Sequence, residues 1–208
     1  MSAQKVSEIL LDLNAVKLQP NDPFIYTSGL KGPIYTDNRL LISYIDERKI
    51  IVDTFARLVE ERGLKPEYLA GTATAGIPWA AFLAERLNLP MVYVRSKPKE
   101  HGAGKQIEGM LPEGKNVLII EDLVTTGGSA LNSVEAIREE GKCIVHDVFA
   151  IFEYGLSKAH EKFRGASVAL TSLTNIKVLL GVALERGDIS AEDQEKVYRF
   201  IKDPENWM

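Results

Sequence analysis

The feature that most limits the fold of this chain is an alternation between residues 67 and 152. Short apolar runs at 67–71, 91–95, 116–120 and 143–152 read as strands, and helical patterns at 77–88 and 128–140 separate the middle ones. Parallel strands need a crossover of about a dozen residues, usually a helix, so this spacing predicts a parallel sheet. Val117 to Ile120 is apolar without alternation, as in a strand covered on both faces. The fold class expected is α/β, a parallel sheet flanked by helices.

The flanking segments fit the same plan. Val6, Ile9, Leu10 and Leu13 make the stripe of an amphipathic helix. Residues 20–33 are rich in Pro, Gly, Asn, Asp and Ser and read as loop or short hairpin. A helix is expected from Asp46 to Gly63, with Ile51, Phe55, Leu58 and Val59 inside, and a further strand at 167–173. Helices are expected at 175–186 and 190–202, the second opened by a Ser190–Asp193 capping box. The 208 residues suit one domain. Its parts would be a small N-terminal hood from about 1–40, a core at 46–173 and C-terminal helices at 175–202, with the C-terminal part a possible contributor to the hood.

Composition narrows the function classes. Hydrophobic residues make up 45% and charged residues 26%, and the formal net charge of −4 disfavours global attraction to nucleic acid or anionic membrane. A single cysteine, Cys143, forms no disulfide framework and agrees with a reducing, cytoplasmic setting. No apolar stretch approaches the roughly 20 residues that cross a bilayer, and Glu8 and Asp12 interrupt the N-terminal apolar stretch, against a signal peptide. No metal-ligand spacing joins His146 and His160, and no Ser-His-Asp signature is present.

Most of the chemistry is concentrated in "NVLIIEDLVTTGGSALNSVEAI", Asn116 to Ile137. A buried strand is expected to end at the carboxylates of Glu121 and Asp122. Thr125, Thr126, Gly127, Gly128 and Ser129 then fill the turn before a helix. Glycines let backbone N–H groups converge, the hydroxyls add donors, and the helix N-terminus adds positive potential, which together make a phosphate cradle. Carboxylates beside a phosphate site suit a sugar phosphate, whose ribose hydroxyls are donors. The pair by itself fits equally an exposed strand end before a helix cap. "GTATAGIP", Gly71 to Pro78, is either a second anion site or a tight strand-to-helix turn. "RSKPKEHGAGKQIEG", Arg95 to Gly109, carries Arg95, Lys97, Lys99, His101 and Lys105 among glycines, and fits a pyrophosphate lid or a solvated loop. "FIYTSGLKGPIYTDNR", Phe24 to Arg39, offers a flat wall at Ile34 and Tyr35, or an ordinary hairpin.

"VLIIEDLVTTGGSA" resembles the 5-phosphoribosyl pyrophosphate (PRPP) binding motif of type I phosphoribosyltransferases. The segments at 24–39 and 94–109 are similar to orotate phosphoribosyltransferases of the bacterial form, and with "GTATAGIP" the resemblance covers residues 24 to about 155. It implies transfer of the phosphoribosyl group of PRPP to orotate, with Mg2+ held mainly by the substrate and no protein side chain as metal ligand. It implies PRPP contacts at Arg95, Lys99, His101, Glu121, Asp122, Leu123, Val124, Thr125, Thr126, Gly127, Gly128 and Ser129. Lys99, His101 and Asp122 take the catalytic roles, and "GTATAGIP" contacts the pyrophosphate. Orotate falls to Thr125, Lys31 and Tyr35. A homodimer is implied in which loop 97–109 reaches the partner's site. The chain departs from the family pattern at Ser96 and Thr27, where other members carry lysine, and at Tyr154, near which some carry an arginine for orotate. Lys97 and Lys31 are candidate substitutes. A purine or uracil phosphoribosyltransferase shares the PRPP motif, and a PRPP-sensing regulator on the same fold would need a DNA-binding module.

Overall fold

A computed structural model of the chain describes residues 2–26, 29–98 and 105–207. Helix α1 (Ala3–Asp12) is followed by strands β1 (Val16–Leu18), β2 (Phe24–Ile25), β3 (Lys31–Gly32) and β4 (Ile34–Thr36), a 3-10 turn (Asn38–Ser43) and helix α2 (Ile45–Glu61). The core continues as β5 (Tyr68–Thr72), α3 (Gly76–Leu87), β6 (Met91–Val94), β7 (Ile107–Glu108), β8 (Val117–Val124), α4 (Gly128–Glu139), β9 (Asp147–Glu153), α5 (Ser157–Gly165) and β10 (Ala169–Asn175). Helices α6 (Ile176–Arg186) and α7 (Ala191–Lys202) complete the described chain, and Ser190 and Asp193 form the expected capping box.

Six strands form one sheet in the order β10-β9-β8-β5-β6-β7, all parallel except the antiparallel edge strand β7. Strand β8 shows why its apolar run does not alternate. Leu118 and Ile120 face a core shared with α1, α2, α3 and α6, whereas Val117 and Ile119 face a second core built with α4 and α5. Both faces are covered, so every position is apolar.

Three sequence expectations are corrected. β8 does not stop at Ile120 but runs through the acidic pair to Val124, because β9 keeps pairing with it as far as Val124 and Glu153. The strand expected at 143–152 begins only at Asp147, since Lys142 takes a positive φ of 52° and Ile144 makes a single bridge to Asn116. Residues 107–109, expected within a loose loop, include edge strand β7.

Pairing of β5 with β8 ends at Gly71 and Ile120. Beyond that point β5 leads into α3, which belongs to one face, while β8 leads into α4 on the other. The connections also run in opposite directions along the sheet, toward β6 and toward β9. The crevice between the ends of β5 and β8 is therefore the switch point where open α/β sheets bind ligands.

Small elements lie over this edge. β1 pairs with β4 and β2 with β3, both antiparallel. The chain's C-terminal segment braces them, with Trp207 Nε1 donating to the Lys31 carbonyl at 3.0 Å and Tyr26 packing on Phe200.

Candidate active site

The end of β8 carries Glu121 and Asp122 into the crevice. Glu121 is 3% exposed. Its Oε1 accepts from the Asp122 backbone N–H at 3.1 Å, and its Oε2 accepts from Ser129 Oγ at 3.0 Å. Burial, with Asp122 beside it, pushes the Glu121 carboxyl up to about 8. Burial also raises Asp122, against hydrogen bonds to its carboxylate from Glu121 and nearby backbone. Two adjacent carboxyls in a poorly solvated crevice favour holding one proton between them.

The turn after β8 is shaped by Gly127, which caps α4 in the left-handed conformation at φ 77°. A Cβ there would sit 2.7 Å from the Phe163 ring of α5, so only glycine fits. Thr126, Gly128 and Ser129 are exposed, and Thr125 is half-buried. The exposed Thr126 hydroxyl, a left-handed glycine and the first amides of a helix make a turn that suits an anion. Under it runs a polar chain: Thr72 and Ser133 hydroxyls at 3.0 Å, then Ser133 Oγ to the Ser129 carbonyl at 3.3 Å.

"GTATAGIP" lines the opposite wall. A Cβ on Gly76 would meet the Ile120 carbonyl at 2.5 Å, and one on Gly71 would meet Ile77 Cα at 2.8 Å. These glycines let α3 lie directly on the sheet beside the acidic pair. The Ala73–Thr74 peptide between them is cis.

Two contacts join segment 35–39 to the strand ends, and a third ties those ends together. Asn38, 1% exposed, donates from Nδ2 to the Asp122 carbonyl at 2.7 Å, a carbonyl lying beyond the last β5–β8 pair. Thr36 Oγ1 and the Tyr154 hydroxyl are 3.1 Å apart. The Tyr154 N–H donates to the Val124 carbonyl at 3.0 Å.

The remaining wall is the entry to the basic segment. Arg95 N–H donates to the Gln106 carbonyl, and Gln106 Nε2 returns a bond to the Arg95 carbonyl, both at 3.0 Å. Glu140, just past α4, accepts from the backbone N–H groups of Gln106 at 2.8 Å and Ile107 at 3.2 Å. Helix α4 thus begins at the anion cradle and ends beside the base of the basic segment.

A phosphoribosyl transferase domain model matches residues 42–167. Orotate phosphoribosyltransferase of Listeria monocytogenes is 47% identical over 208 residues, covering 100% of this chain and 99% of that protein. This chain belongs to the orotate phosphoribosyltransferase family. The Coxiella burnetii orotate phosphoribosyltransferase is 44% identical over 206 residues, with 99% and 98% covered. Among solved structures, the orotate phosphoribosyltransferase of Aeropyrum pernix is 29% identical with a TM-score of 0.74, covering 89% of this chain and 99% of that one. Leishmania donovani UMP synthase shares the fold at a TM-score of 0.80 and 23% identity, over 97% of this chain and 42% of the longer protein.

Within this family member, the structure brings together Glu121, Asp122, Leu123, Val124 and the cradle Thr125–Ser129, as their contiguity requires. Arg95 lies at the end of β6, close to Glu108. Lys99 and His101 lie outside the described residues. Tyr35 is 40% exposed and tilts against Phe24 at 5.6 Å, and Lys31 is exposed on β3. Sequence reading missed Asn38, Tyr154 as a strut to Thr36, and Glu140. Asp37 caps the 3-10 turn that carries Asn38, but nothing in the sequence pointed Asn38 at Asp122. No helix among the described residues is long and apolar enough to cross a membrane.

Proposed function

We infer that the chain transfers the 5-phosphoribosyl group of PRPP to orotate, releasing pyrophosphate and orotidine 5′-monophosphate in pyrimidine biosynthesis. The observation that carries the reading is the juxtaposition at the switch point of a buried acidic pair and the left-handed Gly127 cradle. The cradle of Thr125, Thr126, Gly127, Gly128 and Ser129 takes the 5′-phosphate. Asp122, with Glu121 behind it and Leu123 and Val124 continuing the strand, takes the ribose hydroxyls. Arg95, Lys99 and His101 neutralise the leaving pyrophosphate. Orotate lies beside Thr125, Tyr35 and Lys31.

An orotate nitrogen forms the new bond to the anomeric carbon as the carbon–oxygen bond to pyrophosphate breaks and its electrons leave with the pyrophosphate. Positive charge grows on the sugar in between. A carboxylate at Asp122 favours that charge, and fixed partners spare the site reorganisation at the moment of reaction. Among the described residues no group of three or more His, Cys, Asp or Glu side chains is placed to hold a metal. PRPP's own oxygens would hold Mg2+, and the hard carboxylate oxygens of the acidic pair suit the ribose hydroxyls beside such an ion. When bound, the ion neutralises pyrophosphate charge.

The reading places the enzyme in the cytoplasm as a homodimer, with the loop expected at 97–109, anchored in its own sheet at Ile107–Glu108, reaching the other subunit's site. Refolding a mixture of Lys99→Ala and Asp122→Asn variants tests this. Half the dimers are then mixed and each has one intact site, so activity returns to about a quarter of wild type. A mixture as inactive as its parents, with exchange verified, refutes a shared site. The substrate assignment is tested by assaying PRPP and magnesium with orotate, uracil, adenine and hypoxanthine in parallel. Pyrophosphate release with orotate is expected to dominate, and release with another base instead would overturn the assignment.

A further inference from the structure

Orotate differs from uracil by a carboxylate, and this chain has Tyr154 near the position where some family members carry an arginine for the base. The structure sets a different cation at the cleft. Arg39 ends the segment that Thr36 ties to Tyr154 and Asn38 ties to the Asp122 carbonyl, so its backbone is anchored over the ends of both β8 and β9. Its side chain is 64% exposed.

Asp37 orients that side chain. Arg39 Nε donates to Asp37 Oδ1 at 2.6 Å and Nη2 donates to Oδ2 at 2.9 Å. A guanidinium has five N–H groups in one plane. The Asp37 pair uses only the edge formed by Nε and Nη2, so the Nη1–Nη2 end, with its parallel N–H groups, stays available to a second carboxylate. The charge is also in place: Arg39 is near enough to Asp122 and to the Tyr35 hydroxyl for these groups to act on one another electrostatically. It therefore lies within electrostatic reach of both the ribose carboxylate and the aromatic wall.

Resting on the orotate reading above, we propose that Arg39, held by Asp37, is the specificity-determining residue that receives the carboxylate of the base. Tyr154 is then a strut and not a substitute ligand: its hydroxyl fixes Thr36, three residues before Arg39. The arrangement supplies from the strand-to-turn segment at 36–39 the positive charge that some relatives place after the strand equivalent to β9. A neutral pyrimidine offers the free end of the guanidinium no carboxylate and so forgoes the pair that orotate makes.

The test compares ligands with and without the charge. KM for orotate, Ki for its neutral carboxamide and KM for PRPP are measured on wild type, Arg39→Ala and Arg39→Lys. A hydrogen-bonded charge pair contributes about ten- to a hundredfold in affinity. Arg39→Ala should raise the orotate KM by about that factor, leave the carboxamide Ki and the PRPP KM within about threefold, and regain orotate turnover with added guanidinium ion. Arg39→Lys keeps a point charge without the fork and should fall between. The proposal is overturned if Arg39→Ala keeps the wild-type ratio of orotate to carboxamide affinity, or weakens orotate, carboxamide and PRPP alike. It is equally overturned if Lys31→Ala produces the selective loss instead. Failure of wild type to use orotate at all would instead refute the substrate reading.

Discussion

The proposed phosphate cradle and the proposed base cleft are built in opposite ways. The cradle is five consecutive residues on one strand-to-helix turn, shaped by Gly127 against Phe163. The proposed base cleft draws Tyr35 from a small strand packed on Phe24, with Tyr154 at the end of β9 bracing Thr36 and Trp207 near the C-terminus bracing Lys31. A turn that presents its own backbone N–H groups needs little from the rest of the fold. A cleft for a flat ring needs walls from several elements, and its geometry is set by contacts such as Thr36 to Tyr154. The cradle should therefore fail residue by residue, whereas the cleft should tolerate single changes except at a charge.

The largest effect should come from Asp122→Asn, which keeps shape and removes charge where the proposed reaction makes the sugar positive. Turnover should fall about a hundred- to a thousandfold with the melting temperature nearly unchanged. Near-normal turnover would remove the acidic pair from the mechanism.

Gly127→Ala should come next. It strains a left-handed residue and drives a methyl into Phe163. We expect the PRPP KM to rise about tenfold or more, with loss of about 1–2 kcal/mol of stability. Phe163→Leu in the same chain should restore part of the stability. An unchanged PRPP KM would mean that the turn is a packing device and not a cradle.

Glu140→Ala should be milder, because it acts through Gln106 on Arg95 and touches no substrate. Loss of its bonds to two backbone N–H groups should raise the PRPP KM several-fold, each such bond being worth about 1.5–3 kcal/mol at most. In an Arg95→Ala background the same change should add little to KM. Full additivity would argue against the linkage.

The smallest effect concerns pH. Glu121 holds its proton to about 8 in the fold, against an ordinary carboxyl near 4.5. The folded state thus binds a proton that the unfolded chain releases earlier, so this stabilisation is complete below about 4.5 and is lost as pH rises toward 8. The melting temperature of the ligand-free protein should decline across that window, and Glu121→Gln should flatten the decline. An identical slope in the variant would show that Glu121 ionises normally.

Reading from residue types alone located the sheet, both glycine-bearing turns and the acidic pair. It located them because strand and helix periodicity and turn chemistry are properties of neighbours in the chain. It ended β8 at Ile120, since two carboxylates look like a strand terminus. The structure carries the strand four residues further because β9 pairs there while β5 has already turned away. That offset is what buries Glu121 and raises its pKa.

What the sequence determined by itself was the α/β plan, the Thr125–Ser129 turn and, through family resemblance, the reaction. Each is carried by residues within one turn or one strand of each other, where spacing and chemistry suffice. Only the tertiary structure decided that Asn38 satisfies the Asp122 carbonyl, that Tyr154 reaches Thr36 across 118 positions, and that Glu140 pins the return of the basic segment. Polar side chains such as these have short reach and many acceptable partners. Which one they meet depends on how the sheet's apolar faces pack against the helices, and no local pattern records that choice.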